Sequence, residues 1–237
     1  MKPFSNPFSL KATTSVIAAL GLVGCGLISS DITKLTFDLP TETYMFDTSM
    51  WGNLPPGQVP AVPCTDDNFC CMAGGAVGIS CTMTPLFCNA GSCEARIPES
   101  VTTNVNLAMQ VPALSSFPGH ALSSVTISSI TYSVSNNSFN DDLPALTLYL
   151  APNGVTDPND PSALKFGTTA PIPAGTDPTN QRVTLVSNAA TILSMFTANI
   201  STPFNIIAAT TVVIAAGTNV PKGAITLSVT GTISAQL

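Results

Sequence analysis

The sequence predicts an all-β protein, an antiparallel β-sandwich that is immunoglobulin-like in the broad sense. It should carry one short helix and a small disulfide-rich insertion. Three observations lead there. From Ile225 to Leu237 the chain alternates with period two: Ile225, Leu227, Val229, Gly231, Ile233 and Ala235 share one face, and Thr226, Ser228, Thr230, Thr232, Ser234 and Gln236 the other. Such alternation is the signature of a half-buried strand, because successive side chains point to opposite faces of a sheet. Shorter runs of the same kind recur along the chain. Charged residues are only 8% of the sequence, far below the ~25% of ordinary soluble domains, and Ser, Thr and Asn supply the polarity instead.

In chain order, Leu35, Phe37 and Leu39 alternate with Thr36 and Asp38, and Pro40 is expected to end that strand. Val105, Leu107, Met109 and Val111 make a second alternating run, closed by Pro112. Val125 and Ile127 keep one phase while Ile130, Tyr132 and Val134 take the other, so one extra residue must be inserted near Ser128-Ser129. That is the mark of a β-bulge. Leu146, Leu148 and Leu150 form a further strand. Between Asn153 and Asn180 the frequent Pro and Gly predict a long irregular connection. Asn188 to Asn199 favours a helix, with Asn188 as cap and Ala189, Ile192, Leu193 and Phe196 on one face. Phe204 to Ile214 is apolar nearly throughout, as expected of a central strand covered on both faces. The total is seven to nine strands in a domain spanning residues 35–237.

Six cysteines crowd into residues 60–98: Cys64, Cys70, Cys71, Cys81, Cys88 and Cys93. An even count in a Gly- and Pro-containing stretch reads as a disulfide framework, and spacing alone does not choose among the 15 pairings that six cysteines allow. Adjacent Cys70 and Cys71 should bond to different partners, since a bridge between neighbours is strained. No histidine or paired Cys-x-x-Cys accompanies them, so disulfides are expected rather than zinc. The segment offers little apolar material, so covalent staples should replace a core there.

The first residues have the layout of an export signal. Lys2 and Lys11 are the only charges before Asp31, and Val16 to Ile28 is uncharged and mostly apolar. That core is too short for a spanning helix, which needs ~20 apolar residues. Near its end stands Leu22-Val23-Gly24-Cys25. Here the chain resembles the bacterial lipoprotein precursor family, whose lipobox has Leu, a small or branched residue, Gly or Ala, then Cys. The resemblance implies a signal peptide over 1–24 and cleavage between Gly24 and Cys25. Cys25 would then carry a diacylglycerol and an N-acyl chain at the head of a 25–34 tether. It also implies a membrane partner through the anchor. Gly26 follows the cysteine where many inner-membrane lipoproteins have Asp, so the resemblance leans towards the outer membrane.

Loss of residues 1–24 removes two of 7 basic residues and leaves 13 acidic ones, so nucleic acid is excluded as a partner. Aromatics are only 6% of the chain, too few for the girdles of a transmembrane barrel. The loops Asn136–Asp142 and Asp157–Pro161 are rich in oxygen ligands but lack the Asp-x-Asn-x-Asp-Gly order of a calcium loop, and turn chemistry accounts for them. His120 falls in a Pro118-Gly119-His120 turn, Trp51 is expected to anchor a loop, and no Gly-x-Ser-x-Gly elbow occurs. Carboxylates fall in turn-like segments rather than a shared cleft, so no catalytic constellation and no cofactor are expected. The expectation is a non-catalytic binding or structural module that presents its loops and disulfide knot to an envelope protein or glycan. The alternatives are a carrier of an apolar ligand between the sheets and, less favoured, a secreted hydrolase.

Overall fold

The computed structural model describes residues 34–50, 58–76 and 86–236. The signal peptide, Gly24, Cys25, Trp51 and Cys81 lie outside them. Two antiparallel sheets face each other across one core, as the alternation requires. The four-stranded sheet runs in the order β1-β10-β4-β7, formed by β1 (Lys34–Asp47), β10 (Ala224–Gln236), β4 (Ser123–Ser135) and β7 (Gln181–Arg182). The six-stranded sheet runs β2-β3-β9-β5-β6-β8, from β2 (Leu86–Asn89), β3 (Ser92–Val105), β9 (Phe204–Ile214), β5 (Thr147–Pro152), β6 (Leu164–Thr168) and β8 (Thr184–Leu185). Three helices accompany them: α1 (Asp67–Ala76), α2 (Leu107–Gln110) and α3 (Ala189–Phe196).

β10 is the spine of its sheet, paired with β1 on one side and β4 on the other. Its Ile225, Leu227, Val229, Ile233 and Ala235 are buried, and its Thr/Ser face is only partly covered except at the buried Ser234. Burying a side chain of this size is worth about 1.5–3 kcal/mol. The phase slip in β4 is a bulge: Thr232 faces Ser129 while Ile233 faces Ile127, leaving Ser128 unpaired. β1 has a second register shift between Leu39 and Glu42. It lets the strand pass Pro40 and continue to Asp47, so Pro40 does not end it. The cost of that shift is chemical. Phe37 points inward before it, and after it the inward positions are Glu42, Tyr44 and Phe46.

Four further expectations are corrected. The alternating run Val105–Val111 is not a strand, because β3 stops at Val105 and α2 follows. Asn106 caps α2 by accepting from the Met109 amide at 3.2 Å, and Gln110 Oε1 accepts from the Asn106 amide at 2.7 Å. Leu107, Val111 and Leu114 are then buried at helix-like spacing while Met109 is 83% exposed. The stretch Asn153–Asn180 is not irregular throughout, since β6 lies within it. Three helices replace the expected one, although α3 and its buried Ala189, Ile192 and Leu193 are as expected. Asn188 holds the cap position of α3 without a side-chain hydrogen bond.

The cysteine-bearing segment is built into the sandwich rather than looped out from it. Cys88 lies in β2 and Cys93 in β3, and the residues after Cys93 pair with β9 from Ala95 to Val105. Disulfides join Cys64 to Cys88 and Cys70 to Cys93. Cys71 is disulfide-bonded as well, so the two neighbours take different partners, as expected. Cys70, Cys93 and Leu86 belong to the main core, so the staples here add to a core instead of replacing one. The β2–β3 hairpin closes through Ala90 (φ 49°) and Gly91 (φ 79°), the left-handed pair that two-residue hairpin loops demand. Asn89 and Arg96 both donate to Glu94, at 2.8 and 2.7 Å, and the Arg96 guanidinium stacks 4.8 Å over the Phe87 ring.

Candidate functional site

Where the two sheets face each other the interior is filled. A cavity of about 30 Å3 remains, bordered by Leu39, Glu42, Ile130, Leu150 and Val229. Ligand pockets for small molecules run to about 300–1,000 Å3, so the space between the sheets is an order of magnitude too small for an apolar cargo. Glu42 is the one carboxylate there. Burial pushes its carboxyl above the ordinary glutamate range, and the Thr103 hydroxyl partly opposes that rise. Thr103 Oγ1 and Tyr44 Oη share a hydrogen bond of 3.1 Å. This cluster joins β1 of one sheet to β3 of the other and is a structural feature of the core.

The outer face of the six-stranded sheet is different. Ala151, Ile207 and Ala209 are buried on it, with Tyr149, Val155 and Ala163 packed beside them. Burial on both faces explains why β9 reads as an apolar run without alternation. The cover is the loop 153–163, pinned by an amide network. Asn104 Nδ2 donates to Asn205 Oδ1 at 2.8 Å and to Asn153 Oδ1 at 3.0 Å, and Asn205 Nδ2 donates to the Val155 carbonyl at 2.9 Å. Asn205 is buried, and a buried amide held at both ends is a strong positional constraint. The Asp157 carboxylate accepts from the Asn159 backbone at 2.8 Å and from its side chain at 3.1 Å, while Asp160 accepts from the Ser162 amide at 2.8 Å. Those oxygens therefore shape the turn. In the Asn136–Asp142 loop, Asp142 similarly accepts from the Ala174 amide at 2.9 Å and Asn140 from the Lys222 amide at 2.7 Å.

Between this loop and the sheet lies an open groove of about 440 Å3. Ser100 and Glu99 come from β3, Tyr149 from β5, Thr210 and Thr211 from β9, and Asp157 and Asn159 from the loop. Hydroxyls, an amide and two carboxyls thus surround a half-buried phenol ring. Burial raises the Glu99 carboxyl above its ordinary range. Glu99 and Asp157 line one groove, which corrects the expectation that carboxylates would not share a cleft. Polar groups of both hydrogen-bonding senses beside an aromatic face can bind a polyhydroxylated ligand, with hydroxyls meeting the rim and a sugar ring's C–H face lying on the phenol.

Other residues singled out by the sequence stand apart from the groove. His120 is exposed in its turn, its Nδ1 3.2 Å from the Phe117 carbonyl. The sulfurs of Cys64, Cys70 and Cys93 lie within 4.8 Å of one another, but each is committed to a disulfide and is not a thiolate available to a metal. Among the described residues no helix is long and apolar enough to cross a membrane.

No protein-family model matches the chain, and no curated protein matches it. Two solved structures bear a distant likeness. One is from Desmodium yellow mottle tymovirus, at 9% identity and a TM-score of 0.30, over 99% of this chain and 94% of that one. The other is turnip yellow mosaic virus at 100 K, at 13% identity and a TM-score of 0.27, over 61% and 93%. At such scores the likeness carries no argument about function.

Proposed function

We propose that this chain is a lipid-anchored envelope lipoprotein whose sandwich is a non-catalytic binding module, and that the groove on the six-stranded sheet takes a glycan. The lipobox ending at Cys25 supports the anchor. The groove supports the binding role: it joins an aromatic ring, Tyr149, to hydroxyl, amide and carboxyl groups from three strands and a loop. The filled interior favours this reading over the carrier. The disulfide edge then serves to hold β3, and with it Ser100 and Glu99, against β9.

An oligosaccharide array probed with the mature chain tests the reading. Binding should be found, and Tyr149→Ala or Asp157→Ala should weaken it by at least tenfold while thermal unfolding stays cooperative. No binding to any glycan, or binding indifferent to both substitutions, would sink the proposal. A second reading, a glycoside hydrolase, is favoured by one observation, the shared groove of Glu99 and Asp157. Hydrolysis of a bound oligosaccharide that disappears in Glu99→Gln would replace the binding module with that enzyme.

A further inference from the structure

We propose that the end of the sandwich at which the chain emerges from its tether rests on the lipid bilayer through an apolar surface built from segments without charged side chains and bordered by Lys34. The inference adds to the anchor reading and rests on it. Lys34 opens β1 and pairs with Gln236, the last residue of β10, which in turn faces Ser123 at the start of β4. The same end is closed by α2, the 111–122 turn and the segment after α3. These are tied together by Ala108 N to Ile200 O at 3.1 Å, Ile200 N to His120 O at 3.0 Å and Leu122 N to Thr197 O at 3.0 Å.

Two features set this end apart. Residues 106–123 and 183–204 contain no Asp, Glu, Lys or Arg, with the single cation Lys34 of β1 beside them, whereas Asp47, Asp66, Asp67, Asp141, Asp142 and Asp177 belong to the opposite end. Large apolar side chains also stand in water here: Met109 is 83% exposed, Met195 61% and Phe117 37%. Met195 borders an open cleft of about 350 Å3 walled by Pro152, Phe196, Pro203 and Phe204, room for part of an acyl chain. Exposed apolar residues also occur on α1, as Phe69 and Met72, but there they follow Asp66 and Asp67.

Tether length chooses the occupant. Eight residues lie between Cys25 and Lys34, and fully extended that stretch reaches about 30 Å. β10 alone, at 13 residues, is about 40 Å long. A lipid on Cys25 therefore keeps the Lys34 end near the head groups, with the acidic end far from them. No cluster of basic residues is present, so contact should be apolar and insensitive to anionic lipid.

Methionine oxidation supplies a built-in test, because Met109 and Met195 lie at the proposed contact while Met45 and Met72, 57% and 62% exposed, lie away from it. Thioether oxidation follows exposure. The mature chain, with a hexahistidine tag replacing residues 1–25, is held on phosphatidylcholine vesicles containing nickel-chelating lipid and treated with dilute peroxide. Met109 and Met195 should oxidise at least fivefold more slowly than in solution, with Met45 and Met72 unchanged, and 20% phosphatidylglycerol should make no difference. Equal rates at all four methionines, or protection of Met72 alone, would overturn the docking. The anchor is judged separately, by the mass of the N-terminal peptide of the native precursor's product. An unlipidated Cys25 would remove the anchor whatever the methionines report.

Discussion

The two sheets use the same backbone pairing to different ends. The four-stranded sheet has one inner face and one Ser/Thr face, and its central strand β10 carries five buried apolar side chains in strict alternation. The six-stranded sheet is occupied on both faces: its inner side packs the core, and its outer side holds a second apolar cluster, a clamped loop and the groove. It also bears the disulfides, on the edge where β2 and β3 meet α1. The difference teaches where function can reside. A wet Ser/Thr face is solved by solvent and needs nothing more, whereas a face with its own loop, buried amides and a concavity offers the shaped surface that the proposed binding role requires.

The largest effect expected from breaking this contrast comes at the stapled edge. Removing the 70–93 bridge with Cys70→Ala and Cys93→Ala releases a loop of sequence separation 23. By chain entropy that should cost about 3–4 kcal/mol. Urea unfolding should show the loss, and hydrogen exchange should show β2 and β3 opening before β10. A cost below about 1 kcal/mol, or even exchange across both sheets, would mean that the edge does not depend on its bridge.

A smaller effect is expected where the sheets meet, at Glu42. Its folded-state carboxyl titrates above its unfolded value because burial disfavours the charge. Below the unfolded value the group is neutral in both states and carries no penalty. As pH rises through the folded value, ionisation inside the core removes that stability. Glu42→Gln should therefore match the parent at low pH and exceed it near neutrality by on the order of 1 kcal/mol. Chemical denaturation at several pH values reads this difference. A variant less stable than the parent at neutral pH would show that the charge is wanted there. The smallest effect concerns the hairpin turn, where Ala90 holds a positive φ. Ala90→Gly should stabilise by a few tenths to about 1 kcal/mol, visible as a small rise in Tm; a fall in Tm would contradict the turn geometry.

The contrast also explains what could be read from the sequence. In the four-stranded sheet β10, β4 and the first half of β1 were legible because one wet face writes period two into the chain, and even the bulge at Ser128 showed as a slip between Ile127 and Ile130. The part of β1 beyond Pro40 and the two-residue β7 were not. β9 was legible as a doubly covered strand. β3 was not, because Glu94, Pro98, Glu99, Thr103 and Asn104 interrupt any apolar rhythm and its place is fixed by pairing with β9 and by the disulfides. α2 was misread since Val105, Leu107, Met109 and Val111 satisfy a strand pattern by accident. Asn106 and Gln110 at its ends held the capping signal that could have corrected it. The groove left no local trace: Glu99, Tyr149, Asp157 and Thr211 come from four separate segments, and only tertiary pairing assembles them. Of the candidate site residues, the Cys64 and Cys70 pairings needed the fold, because spacing left every connectivity open.

The most direct measurement is an amide NMR titration of the mature chain with an oligosaccharide that scores on the array. Shifts confined to residues 98–100, 147–149, 155–159 and 209–211, with none along 224–236, are the predicted result. Perturbations centred on β10 and its Ser/Thr face, or no oligosaccharide that binds at all, would contradict the assignment of function to the six-stranded sheet.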